Sequence, residues 1–161
     1  MNADAPNYAY GTFTLERTWA TTPARVFEAW ADIEIKAMWF PGVDEETLHL
    51  VRRDLDFRRG GVEVLEGRFR ATGMTALYEA RFHLIDPNRR LVYDYDLHHD
   101  DRFTSVTLSS LFIEPDGART RVAYTEQIVF LDGKDGTESR RHGTGVQWEK
   151  LETVLLAGGQ A

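Results

Sequence analysis

The chain has 161 residues and a mass of 18.4 kDa, a length that predicts one domain with a core of its own. Hydrophobic residues make up 42% and charged residues 28%, which excludes disorder as the main state, and the lack of cysteine excludes disulfides, thiolate nucleophiles and Cys-based metal sites. A net charge of −7 argues against phosphate backbones and anionic lipid, so neither nucleic acid nor membrane is an expected partner.

No apolar run approaches the roughly 20 residues of a membrane helix. The opening Met-Asn-Ala-Asp-Ala-Pro lacks the basic-then-apolar order of a signal peptide, so a cytoplasmic location is expected. Residues 1–10 are polar and read as an arm. Residues 12–20 are rich in β-formers, with Phe13, Leu15, Arg17 and Trp19 on one face. Thr21-Thr22-Pro23 is a helix-start signal, and Val26, Phe27, Trp30 and Ile33 follow at helical spacing. A second short helix is predicted over Ile35 to Phe40, stopped by Pro41-Gly42.

From residue 47 the period changes to two. Residues 47–57 and 62–70 read as a hairpin around Arg59-Gly60-Gly61. Residues 75–85 form the next strand, with Tyr78, Ala80, Phe82 and Leu84 on one face. After Asp86-Pro87-Asn88, Leu91, Tyr93, Tyr95 and Leu97 alternate with Asp94 and Asp96. Residues 103–113 are a strand of ambiguous face, because Val106, Leu108 and Phe112 compete with Leu111 and Ile113. Pro115-Asp116-Gly117 turns the chain into a strand over 119–130, and residues 132–136 form a loop. Val146, Trp148, Leu151, Val154 and Leu155 give an amphipathic helix from about Ser139 to Leu156. Adjacent strands joined by short turns, with helices near both chain ends, make an α+β domain whose last helix buries its stripe against the sheet.

The residues also carry a resemblance. Glu16-Arg17-Thr18, Pro23-x-x-Val26-Phe27-x-Ala29-Trp30, Met38-Trp39-Phe40 and Phe57-Arg58-x-Gly60-Gly61 come first in the chain. Tyr93-x-Tyr95-Asp96, the run Thr120 to Gln127, Phe130-Leu131-Asp132-Gly133 and Arg141-x-Gly143-Thr144-Gly145 follow. In this order they resemble the SRPBCC superfamily (START-like, helix-grip proteins). Within it they are similar to the branch named after the heat-shock-protein-90 ATPase activator homologue, which includes polyketide-cyclase-like members. The likeness covers about residues 12–156. It implies a curved antiparallel sheet gripping the C-terminal helix, with a cavity between them for lipids, polyketides or other apolar molecules; a binder of this kind is expected to need no cofactor.

Glu126 shares its face with Val122, Tyr124, Ile128 and Phe130. A carboxylate there is a structural ion pair with Arg68, Arg81 or His142, a polar anchor for a ligand, or an acid/base group. Tyr78, Tyr93 and Tyr95 sit at interior parity as pocket walls or plain core. Trp39 and Phe40 cover a cavity mouth or plug the core, and Trp148 faces the cavity or fills it. Arg81 is a second polar candidate, although its parity with Glu79 points outward. His98-His99-Asp100-Asp101 reads as a solvated loop rather than a metal site, since neighbouring strand residues face opposite ways. Arg140-Arg141-His142 opens the last helix, where cations oppose the helix dipole and invite a packing or ligand explanation. The glycines lack the spacing of a phosphate-binding loop, and no serine sits in a nucleophile elbow.

The leading expectation is a binder of a small, mostly apolar ligand held by Trp39, Phe40, Tyr78, Arg81, Tyr93, Tyr95, Glu126 and Trp148. The alternatives are a cyclase-, aromatase- or hydrolase-like enzyme using Glu126 with a tyrosine, and a co-chaperone-like interaction module. The strand over 103–113 leaves room for a homodimer through the sheet.

Overall fold

A computed structural model describes residues 7–158. Seven antiparallel strands form one curved sheet: β1 (Ala9–Trp19), β2 (Leu48–Leu55), β3 (Val62–Phe69), β4 (Thr75–Asp86), β5 (Arg90–His99), β6 (Arg102–Asp116) and β7 (Arg119–Phe130). Their spatial order is β1-β7-β6-β5-β4-β3-β2. The strands β2 to β7 are a meander, and β1 closes onto β7. Helices α1 (Pro23–Ala31) and α2 (Ile33–Ala37) carry the chain from one edge to the other, and α3 (Thr137–Gly158) follows β7. This is the α+β helix-grip arrangement.

Capping chemistry sets the helix boundaries. The Thr22 hydroxyl accepts from the Arg25 N–H, and Pro23 takes the first turn of α1. Asp32 ends α1 by donating its own N–H to the Glu28 carbonyl, and its carboxylate accepts from the N–H groups of Glu34 and Ile35. That cap starts α2 at Ile33 rather than Ile35, and it leaves Trp39 and Phe40 in the turn beyond the helix. Ala9 and Tyr10, assigned to the arm on sequence, pair with Phe130 and Val129 in β1, whereas residues 1–6 of that arm lie outside the described residues. Residue Pro115 ends up inside β6, and only Gly117 and Ala118 span the turn, with Gly117 at a φ of +61° that suits glycine.

The faces of β4 and β6 do not follow from hydropathy alternation in the sequence alone. A register shift between Phe82 and Leu84 turns the end of β4 over, so Leu84 is exposed and Ile85 packs on the core instead. The ambiguity of β6 resolves in favour of Leu111 and Ile113. Both are buried, as are Ser105, Thr107 and Ser109 on the same face, while Leu108 and Phe112 are exposed on the outer face.

Helix α3 buries Trp148, Leu151 and Leu155 against this inner face, where Trp148 meets Trp19, Trp30 and Tyr124. Each large apolar side chain buried this way contributes about 1.5–3 kcal/mol. Leu151→Ala, at a fully buried position, should lower urea-measured stability by about 2–5 kcal/mol. Leu156→Ala, at an exposed position of the same helix, should stay within about 0.5 kcal/mol of the parent.

Candidate functional site

The hydrophobic stripe of α3 covers only part of the sheet. Toward the start of the helix the two separate, leaving a cavity of about 720 Å³. Its apolar wall includes Trp30, Trp39, Phe40, Leu65, Tyr93 and Trp148. Edge-to-face contact seats Phe40 on Tyr78 at 5.0 Å between ring centroids, and Tyr78 leans on Tyr95 at 4.8 Å.

The polar pole of the cavity is built by β5, β6, β7 and α3. Inner-face parity on β7 points Glu126 inward, where it is 2% exposed. Its Oε2 accepts from the hydroxyls of Tyr95 (2.9 Å) and Tyr124 (2.5 Å). Arg140, one turn into α3, places Nη1 3.5 Å from Glu126 Oε1. The same nitrogen donates to the Tyr95 hydroxyl at 2.8 Å and to Thr107 Oγ1 at 3.0 Å, while Nη2 donates to Ser105 Oγ at 2.9 Å. Burial drives the Glu126 carboxyl above its ordinary pKa, against the opposing pull of Arg140 and the two tyrosines. Burial likewise holds the Tyr78, Tyr95 and Tyr124 hydroxyls well above theirs, so they act as neutral donors.

A second ion pair stands apart from the first. Lys36 on α2 and Glu63 on β3 are both buried, with Nζ and Oε1 2.6 Å apart. The ammonium lies 5.2 Å from the Phe40 ring centre and 5.9 Å from that of Tyr93. Arg53 Nη2 donates to the Phe40 carbonyl, and Gln147 Nε2 on α3 donates to the Pro41 carbonyl, which pins the segment after α2 to both sheet and helix.

This frame has relatives. The chain matches the family model described as activator of Hsp90 ATPase homolog 1-like protein over residues 20–155. It belongs to this family. The Mll3558 protein from Rhizobium loti is similar to this activator homolog 1-like chain at 34% identity and a TM-score of 0.83, covering 92% of this chain and 99% of that one. A protein from Rhizobium leguminosarum shares 32% identity at a TM-score of 0.86, covering 93% and 97%. CalU16 from Micromonospora echinospora, at 14% identity, shares the fold with a TM-score of 0.64, covering 92% and 84%. No curated protein matches the chain.

Seven of the eight candidate residues of this family member line the cavity: Trp39, Phe40, Tyr78, Tyr93, Tyr95, Glu126 and Trp148. Arg81 does not. It is exposed on the outer face of β4, opposite Asp94, because the alternation that turns Tyr78 and Ala80 inward turns Arg81 out. The cation facing Glu126 is none of Arg68, Arg81 and His142, which are all exposed, but Arg140. The signal was its place on the helix: Arg140, Thr144, Trp148, Leu151 and Leu155 recur at intervals of three and four residues along the stripe that faces the sheet. Lys36 and Glu63 gave no such signal, since each sits singly among apolar neighbours. His98 and His99 also depart from expectation. Both belong to β5 and are half-buried; His98 stacks on Phe103, while His99 lines the cavity and bonds Thr104. Burial, with Arg102 and Arg140 nearby, lowers the His99 pKa and favours the neutral ring.

Two predictions follow from these pairs. Glu63→Ala strands a buried ammonium and should cost about 3–5 kcal/mol in urea unfolding, whereas Lys36→Met combined with Glu63→Leu should recover most of that loss. Glu126 titrates with the opposite sign to an ordinary surface carboxylate. Its pKa is raised from 4.5, so the stability it contributes is fully present below that value and is lost as pH climbs through the raised pKa. Glu126→Gln lacks that loss, so its stability relative to the parent should improve as pH rises above 4.5 in denaturation series.

Proposed function

We propose that this protein binds a small, mostly apolar molecule in the cavity between its sheet and α3. The observation that carries this reading is the cavity itself, about 720 Å³ in volume and walled by Trp39, Phe40, Tyr78, Tyr93, Tyr95 and Trp148. That volume falls within the range of small-molecule sites, which are mostly apolar with a few placed polar groups. The side chains that could have plugged the space line it instead. Glu126 is better suited to anchoring the cavity wall than to proton transfer. Two tyrosine hydroxyls donate to Oε2 and the Arg140 guanidinium stands against Oε1, which fixes the carboxylate as part of the cavity wall. The resemblance to polyketide-cyclase-like proteins carried by the sequence motifs supports a ligand cavity.

The test uses N-phenyl-1-naphthylamine, a neutral probe that fluoresces in apolar surroundings. It should bind saturably at one site per chain. Ala76→Trp fills the cavity from β4, on the same face as Tyr78, and should weaken that binding at least about tenfold. Absence of saturable binding, or binding untouched in Ala76→Trp, would overturn the reading.

A further inference from the structure

The polar groups of the cavity are not equally occupied. Glu126, Arg140, Tyr95 and Tyr124 satisfy one another, and Lys36 is matched by Glu63. Tyr78 is different. Its side chain is 8% exposed, yet its hydroxyl meets no hydrogen-bond partner among the described residues. The residue lines the cavity, and its hydroxyl opens on that space rather than being sealed into the core. Open to the cavity, the hydroxyl can be hydrated while the space is empty, but a guest that displaces that water without offering an acceptor leaves it unpaired, at a cost of about 1–3 kcal/mol.

Charge narrows what could meet that hydroxyl. The buried cations that line the cavity, Lys36 and Arg140, are each matched by a buried carboxylate, Glu63 behind the wall and Glu126 within it. Neither cation is spare. An anionic ligand would enter an apolar space beside Glu126 with no unmatched positive charge to receive it, and an unpaired buried charge is strongly disfavoured. Arg102 and Lys134 also line the cavity, but both are exposed, and so is the lining Asp132, so solvent screening leaves little attraction for an anion there. The wall itself is a run of rings in mutual edge and tilted contact, which suits a flat, ring-bearing guest.

We propose that the cavity selects a neutral, ring-bearing molecule carrying a carbonyl or hydroxyl oxygen, and that the Tyr78 hydroxyl is the group that binds this oxygen. The proposal rests on the ligand-binding reading above and adds to it the charge state, the functional group and the contact. An all-hydrocarbon guest leaves Tyr78 dry and unpaired, so it binds less well than its oxygen-bearing counterpart.

Three matched probes test this by displacing N-phenyl-1-naphthylamine: 2-acetylnaphthalene, 2-ethylnaphthalene and 2-naphthoate. The parent protein should bind the ketone about fivefold or more tightly than the hydrocarbon, and the carboxylate most weakly. Tyr78→Phe should lose the ketone's advantage while binding 2-ethylnaphthalene as well as the parent or better, with its thermal midpoint confirming that it folds. Tyr78→Phe keeping the parent's preference would overturn the proposal. So would a carboxylate that matches the ketone, a ranking that needs no variant. If all three probes bind alike, the cavity reading stands and the proposal falls. If none displaces the bound reporter, the proposal falls with no consequence for that reading, and if the reporter never binds, both fall.

Discussion

A carboxylate on the concave face of a sheet has to be met by something. Glu126 sits under α3 where hydration is lost, and the arrangement around it follows from that requirement. A guanidinium must come from the helix, so α3 begins with Arg140 inward although a cation near a helix N-terminus opposes the helix dipole. Hydroxyls must come from the sheet, so β6 turns Ser105, Thr107 and Ser109 inward where large apolar residues would otherwise stand. Small polar residues on one side and a long cation on the other keep helix and sheet from closing. Farther along α3, Trp148, Leu151 and Leu155 meet apolar residues and the packing is tight. The helix thus grades from cavity to core along its own length.

The second ion pair positions the wall on the far side. Lys36 ties α2 to β3, and the turn after α2 carries Trp39 and Phe40 onto the cavity. Carbonyls of that turn are held from both directions, by Arg53 on β2 and by Gln147 on α3. An ion pair buried this deeply adds little net stability over an apolar pair of similar size. Its effect is to fix one seating of α2, because any other leaves a charge unpaired.

Much of this was legible in the sequence. Strand parity alone sends Tyr78, Tyr93, Tyr95 and Glu126 to one face, and turn chemistry at Gly60-Gly61 and Asp86-Pro87-Asn88 orders the meander. Three features were hidden for physical reasons. A bulge shifts the period at Phe82, which no single residue announces, and so exchanges Leu84 for Ile85. The inner face of β6 is polar over three of its positions, so hydropathy reads it as outward there. Lys36 and Glu63 are far apart in sequence, and only the crossing of α2 over β3 brings them together. Arg140 was visible as a cation in an unfavourable place, but its partner depended on how far the helix extends toward β7.

The four tryptophans form a chain of contacts: Trp19 to Trp148 at 5.3 Å, Trp148 to Trp30 at 6.1 Å, and Trp30 to Trp39 at 4.8 Å. Indoles this close exchange excitation faster than they emit. Excitation taken up by Trp19, which is buried and does not line the cavity, is shared with Trp148, Trp30 and Trp39 at the cavity wall before it is released. The intrinsic emission of the protein is therefore one shared signal, and a quenching guest that touches any of the three wall indoles dims the light of all four.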